Sequence, residues 1–391
     1  MMERFFKIPD DEHEAQINKK LFFGGEVEVN GGRKTLSKLA ITDYQTIIDN
    51  HFGKHPVILL RFKNTNFTNI YEADQSMVKK IVDFYRRRKR LGKCSTQAGT
   101  DLFDDYDHSY HRSCKTDVYL KSLTEYMCKC YDEKVTILID DYDYAINEAF
   151  LKYGPKTKEL KRMRAFYDDI LSSIHPSKNT NVQKVYLTSV MPFMDCEDEI
   201  NDIQSIMMYS AYSTCFGFTE NEVYRLMIKF PPQSSKQHDI KKYYGQYKSG
   251  KGDIIYNTES ILKCLKDNGT LNTHWETYNN LKILDQILIT SPIVGEIHRL
   301  IREKDKLRKT DGLLRYVNNY LFTFGRIGTY TYLVHAGYLI LDGSNIYKPN
   351  LETILILERK IYEWIVTKMK LNKTICFIYT LLKLKLVGMT K

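Results

Sequence analysis

Along the chain the first sharp concentration of apolar residues is Pro56-Val57-Ile58-Leu59-Leu60-Arg61-Phe62, with polar residues following it. A short apolar run with Pro at its first position predicts a strand. Residues 72–91 then place Met77, Ile81, Phe84 and Tyr85 on one helical face, and residues 116–131 do the same with Val118, Leu120, Leu123 and Met127. Val135-Thr136-Ile137-Leu138-Ile139 is apolar or β-favouring without alternation. That pattern predicts a strand covered on both faces, as in a parallel sheet. A helix is predicted from about Ala145 and a longer basic one over 157–174. Val182 to Ser189 reads as the next strand. Three strands separated by helical segments predict an α/β layer.

Past residue 205 the pattern changes. Residues 259–268, 275–289, 293–307 and 311–324 carry helical patterns, separated by turns such as Phe230-Pro231-Pro232 and Gly245 to Gly252. Tyr330 to Leu341 fits a short strand pair or a helix, and periodicity does not choose between them.

Composition limits the function classes. The chain has 391 residues, with 43% hydrophobic and 27% charged, so it can bury a core and is not a disordered chain. Its net charge of +10 is uneven: residues 359–391 hold eight Lys/Arg against Glu363, and Arg86-Arg87-Arg88-Lys89-Arg90, with Lys93 beyond, forms a second cluster. These are two local patches, each a solvated helix face or a nucleic-acid contact, and not a basic surface throughout. No apolar run is long enough to span a bilayer, and Met1-Met2-Glu3-Arg4-Phe5-Phe6-Lys7 has no secretory h-region. Eight scattered cysteines suit reduced thiols in a cytoplasmic or nuclear setting.

The strongest chemical signal is Ile137-Leu138-Ile139-Asp140-Asp141-Tyr142-Asp143, apolar strand residues ending in paired carboxylates. A buried parallel strand delivers its C-terminal end to the ligand crevice of an α/β sheet. Asp140 there would hold Mg²⁺ beside nucleotide phosphates, and Asp141 would orient or deprotonate the attacking water, as in a Walker B strand. Thr188, ending the next strand, places a hydroxyl at the same edge, where it would sense a phosphate. A polar turn at a strand end produces the same letters without a ligand. The pattern G-x-x-x-x-G-K-[ST] of a phosphate loop is not found. Asn30-Gly31-Gly32-Arg33-Lys34-Thr35 comes nearest, but Arg33 separates Gly from Lys, and the segment reads as a turn.

Two groups of residues carry metal-ligand chemistry. His108, His111, Cys114, Cys128 and Cys130 are zinc-type ligands at a spacing that standard structural sites do not use. Asp101, Asp104, Asp105 and Asp107 lack the Gly and closing Glu of a calcium loop. Lys241-Lys242-Tyr243-Tyr244-Gly245-Gln246-Tyr247-Lys248 interleaves cations with rings, either to stack bases or as a loop whose tyrosines pack inward.

Several stretches in order resemble one family. Gly53-Lys54-His55-Pro56-Val57-Ile58 is similar to its "GKYPVI" strand, and Val135 to Asp143 to its "VVLIDEYD" strand. Phe216-Gly217-Phe218-Thr219-Glu220-Asn221-Glu222-Val223 resembles "FGFTEEEV". Tyr243-Tyr244-Gly245 with Ile255-Tyr256-Asn257-Thr258 resembles "YNGY…VYNP", and Gly337-Tyr338-Leu339 resembles "GYLT". Over about residues 3–365 the chain resembles the AAA-ATPase-like family that often precedes a PD-(D/E)XK nuclease. The resemblance implies a three-layer, P-loop-ATPase-like parallel sheet core over 1–205, incomplete at the N-terminus. Mostly helical regions follow: a lid-like region over 206–290, a C-terminal region over 291–370, and a basic apolar tail over 371–391 outside the fold. Asp141 stands where the family has Glu, and the family's phosphate loop lies before the segment matched by residues 1–6. The expectation is a degenerate or truncated ATPase-like protein that binds Mg²⁺ and ATP weakly or not at all. Its rivals are a non-catalytic scaffold for a protein partner and a nucleic-acid binder using Arg86, Arg87, Arg88, Lys89 and Arg90.

Overall fold

The computed structural model describes residues 1–29, 31–63, 69–92, 103, 115–154, 157–190, 212, 214–248, 252–277, 280–290, 293–302, 307–308, 325–342 and 345–369. The expectations for His108 to Cys114, for Asp101 to Asp107, for the helix over 311–324 and for the tail over 371–391 lie outside these residues. The chain divides into two compact units, Met1–Ser189 and Val190–Lys391.

The first unit opens with helices α1 (Met2–Phe6) and α2 (Glu12–Phe23), the latter capped by Asp11, whose carboxylate accepts the Glu14 N–H. Strands β1 (Gly25–Val29) and β2 (Gly32–Leu36) form an antiparallel hairpin in which Val29 opposes Gly32. Gly31 sits at φ +76°, the left-handed conformation a two-residue hairpin turn requires. Lys34 and Thr35 therefore lie within a strand, and no phosphate loop forms there. Helix α3 (Gln45–His51) leads to β3 (Val57–Arg61). Phe5, Phe22 and Ile48 make a small core, with Phe5 edge-on to Phe22 and Phe52.

Helix α4 (Ile70–Arg90) starts at Asn69, whose side chain accepts the Glu72 N–H, and buries Ala73, Met77, Val78, Ile81, Val82 and Tyr85. Helix α5 (Thr116–Tyr131) ends where Asp132 turns left-handed at φ +51°, and β4 (Val135–Asp140) follows directly. After β4 come α6 (Tyr144–Tyr153), α7 (Lys158–Ile174) and β5 (Val182–Leu187). The strands β3, β4 and β5 form a three-stranded parallel sheet with β4 in the centre. Val135 to Ile139 are all buried, as the unbroken apolar run predicts, whereas Gln183 and Lys184 on outer strand β5 are exposed. Helices α4, α5 and α7 pack against one another.

The second unit is built from short strands and helices. Strand β6 (Phe218–Thr219) runs into α8 (Glu220–Lys229) through a capping box between Thr219 and Glu222. Helix α9 (Gln237–Tyr244), β7 (Tyr247–Lys248), β8 (Ile254–Tyr256) and α10 (Thr258–Lys266) follow. Val223, Ile240, Tyr244, Tyr256, Ile261 and Cys264 form their common core. Then come a 3-10 turn at His274–Thr277, α11 (Asn280–Thr290), α12 (Val294–Arg302) and β9 (Leu307–Arg308). Helix α13 (Arg326–His335), β10 (Ile340–Asp342), β11 (Asn345–Tyr347) and α14 (Leu351–Met369) complete the unit. The stretch from Tyr330 to Leu341 is thus both a helix end and a strand start. Helix α14 packs against α9, α11 and α12. Among the described residues no helix is long and apolar enough to cross a membrane.

The cysteines depart from the all-reduced expectation. Among the described residues Cys128, Cys215 and Cys264 are free thiols, but Cys130 is disulfide-bonded.

Candidate functional site at the carboxyl edge of the parallel sheet

Strand register aligns the three C-terminal ends: Arg61 on β3 opposes Asp140 on β4, and Ile139 opposes Leu187 on β5. Asp140 is the first residue of β4 that is not buried. The ladder continues past the strands, with the Phe62 N–H donating to the Asp140 carbonyl at 3.1 Å and the Thr188 N–H to the Ile139 carbonyl at 2.8 Å. The Tyr142 N–H closes the edge by donating to the Thr188 carbonyl at 3.1 Å.

These backbone bonds bring the three candidate catalytic side chains together. The Thr188 hydroxyl donates to Asp140 Oδ1 at 2.6 Å, and the Asp141 N–H reaches Thr188 Oγ1 at 3.4 Å. Asp141 adopts φ +54°, a left-handed conformation that Asp tolerates better than most residues. The turn swings the second carboxylate out of the strand direction. Burial and then the neighbouring Asp140 charge raise the Asp141 carboxyl above its ordinary range, and the Lys63 ammonium opposes them.

Three further groups shape this edge. Lys63 follows β3 and acts on Asp141 through its charge. Lys80 on α4 donates to the Arg61 carbonyl at 2.8 Å, and burial lowers its pKa. Asp143 is buried at the start of α6 and accepts from Asn147 Nδ2 at 3.2 Å. The sequence signalled Lys63 and Asp143 only by adjacency to the strand ends; Lys80 arrives from mid-helix, and no local pattern marks it.

The donor set is oxygen-only: two carboxylates and a hydroxyl. That chemistry fits Mg²⁺, which keeps several waters and takes one or two protein carboxylates plus phosphate oxygens. Asp140 and Asp141 would hold such an ion, and Thr188 orients Asp140. Among the described residues no group of three His, Cys, Asp or Glu forms a metal cluster.

The basic cluster on α4 is smaller than its letters suggest. Arg88 is buried, forms an ion pair with Asp10 and lies 5.3 Å over the Phe84 ring, so it does not belong to an exposed patch. The reason is helical spacing: Arg88 follows Ile81 and Tyr85 around the buried face. Arg86 is half-buried, and Arg87, Lys89 and Arg90 are exposed, with Lys89 lying 5.7 Å over the Tyr85 ring. In the second unit, the Lys241–Lys248 segment is helix and strand, with Tyr244 fully buried and its hydroxyl donating to the Asn272 carbonyl.

The parallel sheet, its β4 carboxylates and the threonine ending β5 all fall inside one family match. Residues 20–198 match the AAA-ATPase-like family, whose model is described as Predicted AAA-ATPase. No curated protein and no solved structure matches the chain. The matched region contains all three parallel strands, Asp140, Asp141, Thr188 and the α4 cluster.

Proposed function

We propose that this chain is an AAA-ATPase-like protein whose β4 is a Walker B-like strand in a three-layer, P-loop-like core, and that it binds Mg-ATP weakly or not at all. The observation that carries this reading is the 2.6 Å contact from the Thr188 hydroxyl to Asp140 across neighbouring parallel strand ends. An α/β sheet binds ligands outside the carboxyl ends of its strands, and that is where Asp140, Asp141 and Thr188 converge. In this arrangement Asp140 holds Mg²⁺, Asp141 acts on water and Thr188 senses phosphate. The raised Asp141 pKa brings that carboxyl nearer to neutrality, which suits a proton acceptor.

What the residues lack is a cradle. A phosphate loop supplies several N–H donors and a Lys to the phosphates, and two carboxylates repel the same anion unless a cation stands between them. In the nearest sequence candidate, Gly31 lies at a turn and Gly32 to Thr35 in strand β2, so Lys34 does not follow a strand-to-helix loop. Calorimetric titration with Mg-ATP tests the proposal. Millimolar or absent binding, unchanged in Asp140→Asn, is expected. Micromolar affinity abolished by Asp140→Asn would overturn it and show that another segment supplies the phosphate cradle.

A further inference from the structure

The order of elements in the second unit carries a second reading, independent of the nucleotide site. Strand β6 leads into two consecutive helices, α8 and α9, and then into the β7–β8 hairpin. The sheet order is β6-β8-β7, with both pairings antiparallel: Phe218 opposes Tyr256 and Tyr247 opposes Ile255. A strand, two helices and a hairpin, with the first strand added outside the hairpin's second strand, is the winged-helix arrangement. Its second helix occupies the place of a groove-reading helix. The connection over residues 230–236 is longer than the usual helix-turn-helix turn, so the resemblance is one of topology and the exposed chemistry must support it.

That chemistry is specific. Helix α9 has eight residues and buries Ile240 and Tyr244 on one face. Its opposite face presents exposed His238 and Lys242, while Gln237, three residues before Ile240, is exposed at the helix start on the side of the buried stripe. Lys236 lies just before the helix and Lys248 just after it on β7, both exposed. Two carboxylates lie nearby: exposed Asp239 accepts the Lys236 N–H at 3.1 Å at the helix N-terminus, and Glu220 pairs with Lys241 at 2.5 Å. Two glycines allow close packing on β8, Gly245 at the end of α9 and Gly217 just before β6. A Cβ on Gly245 would meet the Lys241 carbonyl and the Tyr256 ring, both at 2.8 Å, and one on Gly217 would meet Ile255 Cγ2 at 2.1 Å.

We infer that the α9 face of the second unit is a binding site for duplex DNA, with Lys236, Lys242 and Lys248 on phosphates and His238 toward base edges. An α-helix is about 10–12 Å across with its side chains, which fits the roughly 12 Å width of the B-form major groove. The deep, narrow A-form major groove does not admit it, so DNA is favoured over double-stranded RNA.

The test is fluorescence anisotropy of the full chain with fluorescein-labelled 20-base-pair DNA of mixed sequence, beside an RNA duplex of the same length. Saturable DNA binding is expected at about 50 mM salt, with a salt slope of about −0.9 per neutralised phosphate. Lys236→Glu with Lys242→Glu should weaken it about tenfold or more and flatten the slope by about two contacts. Arg87→Glu with Arg90→Glu on α4 should leave it within about twofold. His238→Ala changes no charge on the lysines; it should keep the slope and reduce discrimination among enriched sequences. All these side chains are exposed or half-exposed, so unchanged melting of each variant is the folding control. Absent DNA binding, equal or tighter RNA binding, or loss only in the α4 double variant would overturn the inference.

Discussion

Thr188 and Asp140 meet at 2.6 Å although 48 residues separate them, because β4 and β5 are parallel neighbours whose ends are in register. The hydroxyl fixes the carboxylate that would face a cation. It also accepts the Asp141 N–H at 3.4 Å, holding the left-handed turn in place.

Replacing Thr188 by Val removes that hydroxyl and keeps the shape. Thr188 is exposed and Asp140 half-exposed, so water recovers part of the interaction, and the cost should be about 1 kcal/mol or less. A fall of a few degrees in melting temperature is expected for Thr188→Val and almost none for Thr188→Ser. A fall in Thr188→Ser with none in Thr188→Val would assign the effect to the lost methyl contact instead.

At the opposite end of the first unit, Lys7 donates to Glu14 at 2.8 Å and to Asp10 at 3.0 Å, and Asp10 also pairs with buried Arg88. Burial resists ionisation of Glu14. The Lys7 hydrogen bond, the Asp10 N–H and the charges of Lys7 and Arg88 outweigh it, so the net pKa is lowered. The native state therefore favours the carboxylate, and its stabilisation is present at neutral pH. It is lost as pH falls through the ordinary carboxylate range into the lower native pKa. Asp74, Asp141 and Asp168 have raised values and contribute in the opposite sense. Glu14→Gln should lower the urea midpoint at pH 7 and show a smaller further loss at pH 3.5 than the parent. Parallel acid losses in the two proteins would remove Glu14 as the responsible group.

In the second unit Glu352 is fully buried and accepts from Ser260 Oγ at 2.8 Å, from the His274 N–H at 2.7 Å and from the Trp275 N–H at 3.3 Å. One carboxylate at the start of α14 thus joins α10 and the 3-10 turn. Glu352→Leu leaves those buried donors without an acceptor, a loss of about 3 kcal/mol or more. Glu352→Gln keeps one acceptor oxygen and should cost about half as much. Chemical denaturation distinguishes them; equal costs would mean that side-chain volume, and not the carboxylate, matters.

Much of the first unit was legible because its strands are short apolar runs and its helices carry one-sided stripes. The runs at Val57–Arg61 and Val135–Asp140 and the helices ending at Arg90, Tyr131 and Ile174 appear where periodicity puts them. Asp140, Asp141 and Thr188 were legible as strand-end chemistry. What hid was tertiary. Arg88 reads as one of five adjacent cations, yet Asp10, far away in sequence, draws it inward. The helix Gln237–Tyr244 hid because Lys and Tyr crowd an eight-residue segment with only Ile240 and Tyr244 to mark its buried face. Glu352 carries no signal, since a Glu in a first helical turn is ordinary until its three donors arrive from elsewhere.

His335 closes α13, where the helix dipole favours an imidazolium, yet burial pushes its pKa down to about 4. Among the described residues its Nε2 has no hydrogen-bond partner, and neither does Oγ1 of Thr331 one turn earlier on the same face. No acceptor is there to hold a second proton, so desolvation decides the outcome. The unfolded chain takes up that proton near the ordinary imidazole value of about 6.5, while the native state refuses it until about pH 4. Stability is therefore fully present above the ordinary value and declines as pH falls across this window. His274, also lowered by burial, adds to the same slope. His335→Leu removes the orphaned nitrogen at similar volume. It should be neutral or stabilising at pH 7, and it should reduce the loss of denaturation midpoint between pH 7 and pH 5 without abolishing it. If the variant loses as much as the parent over that range, the acid sensitivity resides in His274 or elsewhere, and His335 is merely packed.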